Sequence, residues 1–135
     1  MDEERIDAEH DALVADVFSA ACASRTLLEH VTGRWGVLAL VALDDGVFRF
    51  NALRRRVQGV SEKMLAQTLQ ALERDGFVHR DARPTIPPHV EYSLTPAGRE
   101  VARRLRELIE FVEAAVPDAV AAQARYDEAK ARISG

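Results

Sequence analysis

The sequence is short of cysteine, of aromatics and of long apolar runs. Cys22 is its single cysteine. That excludes an internal disulfide and fits a reducing compartment, so a cytoplasmic location is expected. The four histidines, His10, His30, His79 and His89, are scattered and have no thiol partners at ligand spacing, so no metal site is expected. No apolar run reaches the roughly 20 residues of a membrane helix. The longest, WGVLALVALDD from Trp35, has the length of a core helix. The acidic start, MDEERIDAEHDALVAD, has neither the basic nor the apolar region of a secretion signal, and none is expected. Glycine-rich phosphate loops, Ser/His/Asp sets at motif spacing and clustered carboxylates are all missing. Cys22 with distant histidines makes a poor nucleophile. The chain therefore reads as a non-enzyme without a cofactor.

What is present is an ordinary mixture, 47% hydrophobic and 30% charged over 135 residues, which suits one domain with a modest core. The net charge is −4, but it is unevenly spread. From Arg49 to Arg83 eight basic residues face four acids, a surplus of +4 that leaves −8 on the rest. The net charge alone argues mildly against a nucleic-acid partner, and the basic middle between acidic ends is the asymmetry to explain.

Periodicity divides the chain into elements. A helix is expected over about 8–30, with Leu13, Val17, Ala20 and Ala21 near one face. A second runs over Arg34–Leu43 and is apolar nearly all round, hence central. VFRF reads as a short strand or an extended lead-in. Phe50, Leu53 and Val57 then mark a short amphipathic helix with Asn51 as N-cap. After the turn QGV, a helix runs from Ser61 to about 75, so the helix-turn-helix occupies about 50–75. The period next changes to two, and a hairpin is expected over about 77–94, with Pro84, Pro87 and Pro88 in its connection. Thr95 caps a helix over about 96–116, with Pro96 at its first position and a seam of Val101, Leu105, Leu108 and Val112. Pro117 is expected to interrupt it, before a helix-prone tail over 117–135. The fold class is mainly α with a small β-hairpin: a winged helix-turn-helix.

The helix in SEKMLAQTLQALERDG has two unlike faces. At about 100° per residue, Leu69 falls about 40° from Leu65 and Leu72 about 20° to the other side, while Lys63, Gln67, Gln70 and Arg74 lie about 140–200° away. The far face is all long polar side chains without an acid. Glutamine can pair with adenine, and lysine with guanine or phosphate. The competing reading is an ordinary solvated face, which would more often mix Glu with Lys. Ser61, Lys63, Met64, Gln67, Thr68 and Gln70 are the candidate major-groove set. The amides at the Ser61 end could also meet a phosphate, although Ser61 would cap the helix in either case. Arg49, Arg54, Arg55, Arg56 and Arg74 are candidate backbone contacts. Arg80, Arg83 and His89 belong to the hairpin tip, where His89 reads equally as a solvated loop residue.

Three separated pieces carry a resemblance. Cys22 precedes RTLLEHVTGRWGVLAL, followed by FRFNALRRRVQGVSEKMLAQTLQALERDGFVHR and PPHVEYSLTPAGR. Together, over about 22–99, they resemble the HxlR-type winged helix-turn-helix transcriptional regulators of bacteria, within the MarR-like superfamily. Two departures stand out. Ala23 replaces the proline usual after the cysteine, and the 19 residues after Val116 exceed the common family ending. The resemblance implies a homodimer on a near-palindromic double-stranded operator, with the helix from Ser61 reading and the 78–94 hairpin as wing. It places dimerisation on the N-terminal helix, hence Leu13 and Val17, and on the C-terminal helix, hence Val101, Leu105, Leu108 and Val112. The seam would otherwise pack within one core. It also makes Cys22 a candidate sensor of oxidants or electrophiles, with Arg25 placed to favour its thiolate. The alternative for Cys22 is a small buried hydrophobe. An oxidant or small-molecule effector is thus a candidate partner, and a membrane is not. The competing function is a winged-helix module that binds protein rather than specific DNA.

Overall fold

The computed structural model describes residues 17–135. Leu13 and the first half of the expected 8–30 helix lie outside the described residues. The chain divides into two units, Met1–Arg103 and Arg104–Gly135, with the boundary inside the last helix. In order, the elements are α1 (Ala23–Thr32), α2 (Arg34–Leu43), β1 (Phe48–Arg49), α3 (Phe50–Arg56), α4 (Glu62–Arg74), β2 (Val78–Arg83), β3 (His89–Leu94) and α5 (Pro96–Ser134).

Within the described residues the expected helix is interrupted: residues 17–22 are not helical, and the helix there begins at Ala23. The Cys22 amide donates to the Ser19 carbonyl at 3.1 Å in a turn, not to Phe18 as a helix would require. The Phe18 carbonyl instead accepts from the Arg25 guanidinium at 3.0 Å. Helix α1 buries no residue, and Leu27 and Leu28 remain exposed. It passes α2 with almost no gap. A Cβ on Gly36 would stand 2.0 Å from the His30 carbonyl oxygen, so only glycine fits there.

The core of the first unit is leucine. Leu40 of α2, Leu53 of α3, and Leu65, Leu69 and Leu72 of α4 are the largest fully buried side chains. The three on α4 are the apolar face predicted by its period, and burying each such side chain is worth about 1.5–3 kcal/mol. Ser61 caps α4, its Oγ accepting from the Met64 amide at 3.1 Å. Asn51 does not cap α3. Arg49 holds the N-cap position without a side-chain bond, and the helix begins one residue before Asn51, directly off β1. Phe50 is thereby turned toward Tyr92, with ring centroids 6.5 Å apart.

The sheet has three antiparallel strands in the order β1-β3-β2. The hairpin pairs Val78 with Leu94 through Arg83 with His89. VFRF adds a two-residue edge, Phe48 opposite Tyr92 and Arg49 opposite Glu91. Thr95 caps α5, its Oγ1 accepting from the Gly98 amide at 3.0 Å and donating to the Gly76 carbonyl at 2.6 Å. Gly98 lies so close to Phe77 that a Cβ would stand 2.0 Å from the carbonyl oxygen.

In the second unit the interruption expected at Pro117 is absent: the helix runs through it. A proline forfeits one helical hydrogen bond and bends a helix, but the alanines on both sides favour continuation. Of the seam residues, Leu105 is buried, while Leu108 (56%) and Val112 (53%) are exposed, as are Phe111, Val116 and Val120. In the first unit, Val17 and Val101 are half-buried.

Candidate nucleic-acid interface

Three features hold α4: the Ser61 cap, its buried leucines, and Asp75 at its C-cap. They leave Lys63, Met64, Gln67, Gln70 and Arg74 outward and exposed, with Thr68 half-buried. The far face predicted from the period is therefore the solvent face. Glu62 and Glu73 sit on its edge. Glu62 is not idle: it accepts from the Arg54 guanidinium at 3.0 Å.

The cations around this face differ in their partners. Arg54 is tied to Glu62, and Arg56 stands 4.0 Å from Asp45. Arg83 reaches Asp81 at 3.4 Å and Glu91 at 3.6 Å, and His89 bonds Glu91 at 2.7 Å. That His89 bond, aided by the Arg83 charge, holds the Glu91 carboxyl below its ordinary value of 4.5, against a smaller opposing effect of burial. So the wing residues Arg83 and His89 are both engaged by carboxylates within the hairpin, an arrangement the sequence did not announce. Among the described residues, Arg49, Arg55, Lys63, Arg74 and Arg80 are exposed and make no ion pair. Arg49 and Arg55 line one 430 Å³ groove with Asn51, Pro88 and Val90, between α3 and the wing. Arg54 and Arg55 also line a neighbouring 540 Å³ depression with Gln58 and Glu62.

Sequence reasoning missed Arg34. Its guanidinium is exposed, lies 5.5 Å from the Trp35 ring centroid, and makes no ion pair among the described residues. Arg34 and Trp35 share a 330 Å³ cavity with Met64, Gln67 and Thr68 of α4. Glu62 and Met64 lie about 160° apart around the helix axis. Cations thus flank α4 on both sides, Arg34 on one and Arg54 with Arg55 on the other. One signal could have found Arg34: no acid stands three or four residues to either side of it.

Cys22 is half-buried, and its Sγ lies 2.9 Å from the Ser24 Oγ. Arg25 is bonded to Glu29 at 3.4 Å and to the Phe18 carbonyl. Among the described residues no group of three or more His, Cys, Asp or Glu is placed to hold a metal, and no helix is long and apolar enough to cross a membrane.

A capped helix carried on two others, preceded by a tight turn and followed by a three-stranded wing, defines a winged helix-turn-helix of the transcription-regulator class. The HxlR-like helix-turn-helix family model matches residues 30–119, and the chain belongs to that family. It is 56% identical over 106 residues to the uncharacterized HTH-type transcriptional regulator YtfH of Escherichia coli strain K12, covering 78% of this chain and 84% of that one. Among solved structures, the transcriptional regulator ytfH from Salmonella typhimurium is 55% identical with a TM-score of 0.76, over 80% of this chain and 96% of that one. The redox regulator HypR in its oxidized form is 35% identical with a TM-score of 0.63, over 69% and 96%.

Proposed function

We propose that the chain is a cytoplasmic, non-enzymatic regulator that binds a near-palindromic double-stranded operator as a homodimer. Helix α4 enters the major groove and the 78–94 wing follows the flanking backbone. One observation carries this reading. The solvent face of α4 bears Lys63, Gln67, Gln70 and Arg74, with no ion pair to Lys63 or Arg74 among the described residues, on a helix fixed by its cap and three buried leucines. Lys63 and Gln67, nearest the helix start, specify bases; Ser61, Met64, Thr68 and Gln70 complete the groove contacts. Arg34, Arg49, Arg55, Arg74 and Arg80 neutralise phosphates directly. Arg54, Arg56, Arg83 and His89 must first exchange a carboxylate for a phosphate.

Dimerisation follows from geometry: two reading helices enter successive major grooves about 34 Å apart. The exposed apolar residues on α1 and on the second unit's helix supply surface for it. Cys22 is the proposed point of oxidant control, supported by the likeness to a redox regulator. Lys63→Ala and Gln67→Ala are each expected to cost about 1–3 kcal/mol on the preferred sequence and to relax preference at one position. Arg55→Ala is expected to weaken binding on all duplexes and reduce the salt slope by about 1. A gel shift with genomic fragments that stays negative at low salt, beside a positive pull-down, would favour a protein-interaction module instead.

A further inference from the structure

We propose that His30 is a positioning residue for DNA reading, acting through Asp75 to set the reading helix against α1. The inference rests on the DNA-binding reading above. His30 Nδ1–H donates to Asp75 Oδ2 at 2.5 Å, across 45 residues of sequence. Asp75 is the C-cap of α4, and its side chain is only 9% exposed. An acid there is badly placed on its own account, because the partial negative charge of a helix C-terminus repels it. Near-burial of a carboxylate adds a desolvation cost. Among the described residues the partner on α1 offsets both costs, so the pair favours one relative placement of the two helices.

His30 is fixed at its other end as well. Its carbonyl oxygen lies against Gly36 so closely that no Cβ fits between them. Backbone to α2 and side chain to α4, one residue sets three helices. The cap at Ser61 holds the start of α4, and the leucines hold its inner face. Leu72 and the Thr95 bond to Gly76 hold its far end to the core and the sheet, and the Asp75 bond adds the tie to α1. His30 also lines the cavity shared by Trp35, Met64 and Gln67, so the imidazole stands at the border of the reading face without belonging to it. No residue of α1 is fully buried, and this bond ties the helix to the end of α4.

The test uses the full chain, with duplexes enriched by the wild type from a random pool and an unrelated duplex at the same salt. His30→Ala should lower the operator-to-unrelated affinity ratio about tenfold, the size of one lost charged hydrogen bond. Affinity for the unrelated duplex should stay within about twofold, since phosphate contacts carry it. His30→Asn, which keeps a donor near the Nδ1 position, should restore most of the ratio. Asp75→Ala added to His30→Ala should cost little more than either alone. In the DNA-free protein, amide hydrogen exchange in the last turn of α4 should accelerate in His30→Ala and recover in His30→Asn. An unchanged ratio in His30→Ala, or parallel losses on both duplexes, would overturn the proposal. If the wild type enriches no sequence, the DNA-binding reading falls, and the exchange result alone decides whether His30 holds the helix.

Discussion

At the scale of single residues, the wing is governed by four polar side chains. Asp81 pairs across the ladder with Glu91, and Arg83 with His89, while Arg83 reaches both acids and His89 bonds Glu91. Glu91 has a depressed pKa in the fold because His89 bonds its charged form. A depressed carboxylate pKa contributes stability that is present above the ordinary value of 4.5 and is lost as pH falls through the lower folded value. His89→Ala should therefore return the Glu91 titration toward the ordinary value, read by carboxyl carbon shifts. An unmoved Glu91 titration would remove His89 as the cause. Arg54 teaches the same lesson for the other flank. Its partner Glu62 is eight positions away across the turn, a separation no helical or strand period marks.

At the scale of elements, the helices with two clear faces were legible, and the short strand was legible only as one of two readings of VFRF. Leu65, Leu69 and Leu72 recur at helical spacing, and Ser61 and Thr95 sit where capping chemistry puts them. Phe48 and Arg49 form a strand of two residues, too short for any alternation, so its place at the sheet edge comes only from pairing with Tyr92 and Glu91. Because that strand runs straight into α3, Asn51 falls inside the helix and its capping propensity is unused. Pro117 marks the opposite failure, a local rule outweighed by the helix formers around it. Of the candidate site, the solvent face of α4 was readable because its inner face was. The committed state of Arg54, Arg83 and His89, and the tie between His30 and Asp75, were not, since each depends on residues the fold brings together. The Ser61 cap gives a direct check. Ser61→Ala should cost about 1 kcal/mol, a drop of about 3–5 °C in Tm for a chain of this size. A Tm unchanged by the substitution would contradict the cap.

At the scale of the whole molecule, the apolar surface left exposed is the telling feature. Leu108, Phe111, Val112, Val116 and Val120 all stay open in the second unit. Such a stripe is seldom left uncovered, and a second copy is the occupant that the proposed binding to a near-palindromic operator requires. Sedimentation should give twice the monomer mass for the wild type and a lower mass for Leu108→Glu with Val112→Glu, with operator affinity falling in parallel. A wild type that sediments as a monomer at micromolar concentration would remove the homodimer. The most direct measurement is the enrichment of duplexes from a random pool by the wild-type chain, repeated with Lys63→Ala and with Gln67→Ala. The expected result is a near-palindrome with half-sites about one helical turn apart, whose preference at particular bases relaxes in each variant. Enrichment of no sequence at low salt, or one identical motif from all three proteins, would contradict α4 as the helix that reads DNA.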